Sequence, residues 1–139
     1  MPRYRFNLEF EKTGLSPEQK DRLNKIFENF FIFIKTDVII KKYLKKYKPD
    51  FTCSVGEYFI KCETDNYKTI RRIAVKAEQV FKEMSLKDES WINENIIVEQ
   101  QPQCAQCNNF VIFAEGTCSN CGGTEFVRKI YSLDELRVL

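Results

Sequence analysis

Four cysteines, Cys104, Cys107, Cys118 and Cys121, are spaced C-x2-C-x10-C-x2-C. A thiolate is a soft anionic ligand, and two CxxC pairs at this spacing can bring four sulfurs around one ion as a closed tetrahedron. The expected ion is Zn²⁺ in a structural site, which leaves no open position for water or substrate. Iron takes the same four-sulfur set and is the alternative. A redox dithiol is the other chemistry of a CxxC pair. The second pair, followed by Gly122-Gly123, favours the metal.

Histidine is absent, so the chain cannot supply a Ser-His or Cys-His pair, a His-ligated catalytic metal or a His general base. The acids Glu57, Glu63, Asp65 and Glu99 are scattered, and no two of them can be placed across a substrate. No P-loop, GxGxxG or nucleophile elbow occurs. A non-catalytic protein is expected.

Two sets of cations suggest phosphate binding. Lys41, Lys42, Lys45 and Lys46 crowd one stretch, and the pairs 41/45 and 42/46 are neighbours on a helix. Lysines there would neutralise phosphates without reading sequence. A second basic row is Lys68, Arg72 and Lys76. The competing reading is an ordinary solvated helix face, which a net charge of only +2 favours. The other set is Arg3, Arg5, Phe59 and Lys61, with Asn7, expected on an open sheet face where bases stack on an aromatic and cations hold the backbone. A partner or the cysteine segment packed on that face is the alternative.

The elements that must position these groups follow from periodicity. Residues 3–10 alternate strictly, with Tyr4, Phe6, Leu8 and Phe10 on one side, which predicts a half-buried strand. Ser16-Pro17-Glu18-Gln19 opens a helix through an N-cap and capping box. Its stripe runs through Leu23, Ile26, Phe27, Phe30 and Ile34, then loses phase near Thr36-Asp37, with Thr36 as the expected new cap. The segment 30–35 is rich in β-formers, so a strand there is the alternative. Pro49 ends the helical region. Residues 51–63 predict a hairpin turning at Gly56-Glu57, pairing Val55 with Tyr58, Cys53 with Ile60 and Phe51 with Cys62. On that register Cys53 and Cys62 are diagonal neighbours used as small buried hydrophobes. A helix from about Asn66 to Met84 buries Ile70, Ile73, Ala74, Ala77, Val80, Phe81 and Met84. A polar loop through Trp91 leads to a strand at 96–100.

The order β-α-β-β-α-β predicts an α+β, ferredoxin-like split βαβ domain over residues 1–100, with one four-stranded antiparallel sheet. From Cys104 the motifs CAQC and CSNCGG, the linking NFVIF, the turn at Glu115-Gly116 and the third strand at 125–133 resemble a zinc ribbon. That resemblance implies a C-terminal module over 101–139 and fixes no function, because the family serves many. At 139 residues, with 43% hydrophobic content and 12 Phe, a packed core is expected. The longest apolar runs are five residues, far short of the ~20 that span a bilayer. A soluble, cytoplasmic protein that binds RNA or DNA as an accessory or regulatory factor is expected. Docking on a larger protein complex is the alternative.

Overall fold

A computed structural model of the chain describes residues 2–11, 13–47, 51–56, 58–113 and 116–138. β1 (Tyr4–Glu9) lies in the middle of an α+β arrangement, because its alternation puts Phe6 and Leu8 into the core and Asn7 and Glu9 into solvent. Among the described residues the sheet has five antiparallel strands in the order β2-β3-β1-β4-β5, with five helices. The expected sheet had four. The fifth strand joins because β4 (Val98–Cys104) continues past residue 100, and β5 (Phe126–Tyr131) pairs along its free edge.

α1 (Pro17–Thr36) begins as the sequence predicts. Ser16 Oγ accepts the Gln19 N–H while Gln19 Oε1 accepts the Ser16 N–H. Residues 30–35 are its last turns and not a strand, since Phe30 continues the stripe of Leu23, Ile26 and Phe27 into the core. The break falls at Asp37, whose extended backbone (φ −65°, ψ 126°) ends α1. The cap of α2 (Val38–Tyr47) is Asp37 and not Thr36. Its carboxylate accepts the Ile40 N–H, whereas the Thr36 hydroxyl turns back to Ile32 O. Both Asp37 oxygens also bind the Arg72 guanidinium at 2.7–2.9 Å, tying the helix junction to α3. That pairing holds the Asp37 carboxyl below its usual range. The expected stop at Pro49 lies outside the described residues.

β2 (Phe51–Val55) and β3 (Phe59–Thr64) form the predicted hairpin, two residues out of register. Val55 faces Ile60, Cys53 faces Cys62 and Phe51 faces Thr64. The cause is Gly56, whose N–H donates to Phe59 O and extends the ladder past the expected turn; Glu57 lies outside the described residues. A slip of two leaves every side chain on its face, so Ile60 and Cys62 are still buried and Thr52, Ser54 and Lys61 exposed. It does change the cysteines. Cys53 and Cys62 are not free diagonal hydrophobes. They are direct cross-strand partners, Cα atoms 4.1 Å apart, joined as a disulfide.

α3 (Tyr67–Met84) is capped by Asn66, which accepts the Thr69 N–H. Its small residues Ala74 and Ala77 are fully buried with Ile70, Ile73 and Phe81, where α1 and α3 cover one face of the sheet. Each fully buried large apolar side chain contributes about 1.5–3 kcal/mol. The expected polar loop is instead α4 (Glu89–Asn95), capped by Asp88, and Trp91 stacks on Phe10 with ring centres 5.2 Å apart. After β5 comes α5 (Leu133–Arg137), which the sequence reading did not place. It buries Leu133 and Leu136 in the main core, and Arg137 pairs with Glu78 on α3. No helix among the described residues is long and apolar enough to cross a membrane.

Candidate metal centre and the surfaces around it

Cys104 is the last residue of β4, so the sheet itself presents the first sulfur. The chain then makes two matching turns. Asn108 N–H donates to Cys104 O at 2.9 Å, and Cys104 N–H donates to Asn109 O at 2.8 Å. Gly122 N–H donates to Cys118 O at 2.7 Å, and Cys118 N–H donates to Gly123 O at 2.8 Å. Each turn closes on a left-handed residue, Asn108 (φ 63°) or Gly122 (φ 78°), two residue types that accept that conformation at low strain. The CxxC spacing is thus expressed twice as the same knuckle.

The knuckles bring all four Sγ atoms within 4.8 Å of one another. Cys104 and Cys121 are 3.4 Å apart, and Cys107 and Cys118 are 3.6 Å apart. Zn–S bonds of about 2.3 Å in a tetrahedron set sulfurs about 3.8 Å apart, so the donor set fits a four-coordinate ion. The electrostatics also call for a cation. Cys107 is lowered to about 6, first by the Asn109 N–H and then by the Asn120 side chain. The Cys107 N–H, followed by that of Gln106, lowers Cys104. At Cys121 the Gly123 N–H pulls downward, but Cys104, desolvation and the other two sulfurs push it up to about 12. Amide donors favour thiolates, yet four of them cannot share this volume without positive charge between them.

Around the sulfurs is a small core of its own: Cys104, Val111 and Cys118, with Cys107 and Phe126 packed on it. The linking NFVIF carries one isolated bridge and no strand among its described residues. Gln103 and Phe110 make an isolated bridge and Val111 N–H reaches Pro102 O, after the left-handed turn at Asn108 has already reversed the chain. The expected turn at Glu115-Gly116 includes Glu115, which lies outside the described residues. The third strand of the expected ribbon is β5, paired with β4 of the main sheet. Gly123 is needed where it stands, because a Cβ there would lie 2.6 Å from Gln106 Oε1 and 3.1 Å from Cys104 Sγ. Gln106 can swing aside; Cys104 Sγ cannot without leaving the cluster. Gly123→Ala is expected to weaken metal retention about tenfold in a chelator competition, the scale on which groups behind the ligands act. Retention equal to the parent protein would show that the cluster tolerates displacement of Cys104.

The sheet face opposite the helices is not a row of available cations. Arg3 pairs with Glu63 at 2.6 Å, Arg5 with Glu99 at 2.8 Å and Lys61 with Glu9 at 2.9 Å. The Arg5 guanidinium also lies 4.2 Å from the ring centre of Phe113, so the cysteine segment reaches over this face. The Phe59 ring folds over Gly56, with Lys61 Nζ 5.4 Å from its centre. Each of these three cations thus already holds a carboxylate. Of the acids weighed for catalysis, Glu63 and Glu99 are in these pairs, Asp65 accepts the Tyr43 hydroxyl, and Glu57 lies outside the described residues. Lys41, Lys42, Lys45 and Lys46 are exposed together on α2. Sequence reasoning missed Asn109 and Asn120 as groups that tune the sulfurs. The signal was their place beside the cysteines, Asn109 two positions after Cys107 and Asn120 directly before Cys121.

Compared with known proteins, the chain matches no family model, no curated protein and no solved structure.

Proposed function

We propose that this protein is a non-catalytic, zinc-stabilised docking module: a small regulator or subunit that binds a larger protein. The observation that carries the reading is a group of large apolar side chains left in solvent where α1 meets α2. Phe31 is 46% exposed, Ile32 50%, Val38 76% and Ile39 48%. Contiguous exposed apolar surface rimmed by polar groups marks interaction sites. The ion pairs over the open sheet face weaken the case for a nucleic acid there.

The strand order β2-β3-β1-β4, covered on one face by α1 and α3, supports a ferredoxin-like split βαβ core to which β5 is added. The twin knuckles support a zinc-ribbon element inserted between β4 and β5, and we read the ion as Zn²⁺ rather than iron because four-sulfur scaffold sites are a usual setting for zinc. A cytoplasmic location belongs to the same reading. The Cys53–Cys62 bond pulls toward an oxidising compartment. Four unbonded sulfurs with pairs at 3.4 and 3.6 Å pull harder the other way, since oxidation would join those as well.

One observation favours a second reading, phosphate binding by RNA or DNA: the exposed lysine row on α2. Titrating the metal-loaded protein with labelled single-stranded RNA, single-stranded DNA and duplex at two salt concentrations separates the two. For a docking module, binding no tighter than about 10⁻⁶ M at physiological salt is expected, the range of non-specific contact. Tighter, salt-steep binding that is lost on reversing Lys41, Lys42, Lys45 and Lys46 would overturn the docking reading in favour of a nucleic acid.

A further inference from the structure

We infer that the groove between α1 and α3 receives an acidic amphipathic helix of a partner protein. This rests on the docking reading above and names its site and the chemistry of the occupant. Two adjoining hollows, of about 250 and 280 Å³, run along the two helices and share Phe33 and Lys76. The helices are antiparallel here: Asn29 on α1 lies beside Val80 and Glu83 on α3, and Asp37, just beyond α1, binds Arg72. A third helix laid along such a valley meets apolar side chains from both walls, Ile32 and Phe33 from one and Val75 from the other. From Arg71 to Glu83 the valley spans about 18 Å of helix, room for a partner segment of about three to four turns.

Charge decides the polar face of the occupant. Lys35 Nζ lies 4.1 Å from the Phe31 ring centre and Lys76 Nζ lies 5.5 Å from that of Phe33, so ammonium groups stand directly beside the apolar surface. Arg71 lines the valley as a further cation, Arg72 beside it is neutralised by Asp37, and Lys41 and Lys42 follow the exposed Val38 and Ile39 on α2. Among the described lining residues Glu83 is the one acid, since Asp37 is buried in its pair with Arg72. A partner with leucine-like residues at i, i+3, i+4 and i+7 and carboxylates around them complements both properties. An anionic membrane shares that chemistry, but a bilayer is matched by a convex apolar surface, and here the side chains flank a hollow.

The test uses the whole metal-loaded 139-residue chain and a fluorescein-labelled synthetic peptide of about fourteen residues, with leucines on one helical face and glutamates elsewhere. Its twin carries lysines in place of the glutamates. Anisotropy should show saturable binding of the glutamate peptide and none of the lysine twin. Ile32→Asp and Lys76→Glu, both on the surface of the groove, should each weaken binding at least about tenfold, or 1.4 kcal/mol. Lys20→Glu near the start of α1 should leave it within about twofold. No binding of the glutamate peptide, or the same loss with Lys20→Glu, would overturn the proposal. So would co-sedimentation with phosphatidylserine vesicles that Ile32→Asp abolishes while the peptide stays unbound. Single-stranded RNA in the same titration separates the two levels. If peptide and RNA are both silent, this groove is wrong and docking moves to another surface; tight, salt-steep RNA binding removes the docking reading itself.

Discussion

Stripping the metal, or replacing Cys104 by Ser, is expected to unfold residues 104–125 while the main sheet stays folded. The separation comes from two distinct buried clusters. The large one holds Phe6, Phe30, Phe81 and their neighbours; in the small one, among the described residues, Cys104, Val111 and Cys118 are buried. Three buried residues cannot offset the ordering of a segment this long, at about 1–2 kcal/mol per residue. Ion binding is what would hold the segment, because its four ligands come together only when it is folded. Elemental analysis should find one metal per chain in the parent protein and none in Cys104→Ser. Amide exchange should lose protection over 104–125 and at the end of β4, where Cys104 is both strand residue and ligand. The single tryptophan, Trp91, lies in the main core against Phe10 and Phe81, so its emission should not move. Unchanged protection of 104–125 after chelation would show that the segment holds itself.

Asp37→Ala is expected to destabilise the whole molecule by about 2–4 kcal/mol. One side chain does two jobs: it caps α2 through the Ile40 N–H and it receives Arg72 from α3. A lost cap costs about 1 kcal/mol. Breaking a buried ion pair costs about 3–5 kcal/mol, less here because the Arg72 side chain is 42% exposed and water can take over its charge. The midpoint of urea unfolding should fall with little change in slope. The pH dependence has a definite sign. Arg72 holds the folded carboxyl below its unfolded value, so its stabilisation is present above about pH 4 and is lost as pH falls through the folded pKa. Asp37→Asn should therefore flatten part of the acid limb of the stability curve. A variant as stable as the parent, with the same acid limb, would remove Asp37 from this role.

Local chemistry was legible in the residues and distant pairing was not. The Ser16 capping box, the Asn66 helix start and the alternation of β1 depend on neighbours a few positions away, and they stand as expected. The hairpin kept its faces through a two-residue slip because strand side chains repeat every two residues. The same slip turned two presumed hydrophobes into a bonded pair. Short helices escaped notice although their signals were present: Asp88 ahead of Trp91 and Ile92, and Ser132-x-x-Glu135 around Leu133 and Leu136. Their stability comes from docking on the core, which no local window reports. The four cysteines were legible as a set because the metal's demand for spacing is itself local. What neutralises Arg3 and Arg5 was not, since their partners lie 60 and 94 positions away.

Of the five described strands of the sheet β1 is made first, yet it stands at the centre, with Tyr4 opposite Thr64 on one side and Gln100 on the other. At a synthesis rate of about 5–20 residues per second, the first neighbour arrives about 3–12 s later and the second after a further few seconds. Until then Phe6 and Leu8 sit on a strand with two open edges, the form most prone to pairing with another chain. A strand made early and paired late thus makes the nascent protein a client for whatever shields extended apolar segments, and the second edge of β1 stays open until β4 has emerged, the same strand whose last residue is the first sulfur of the candidate metal site.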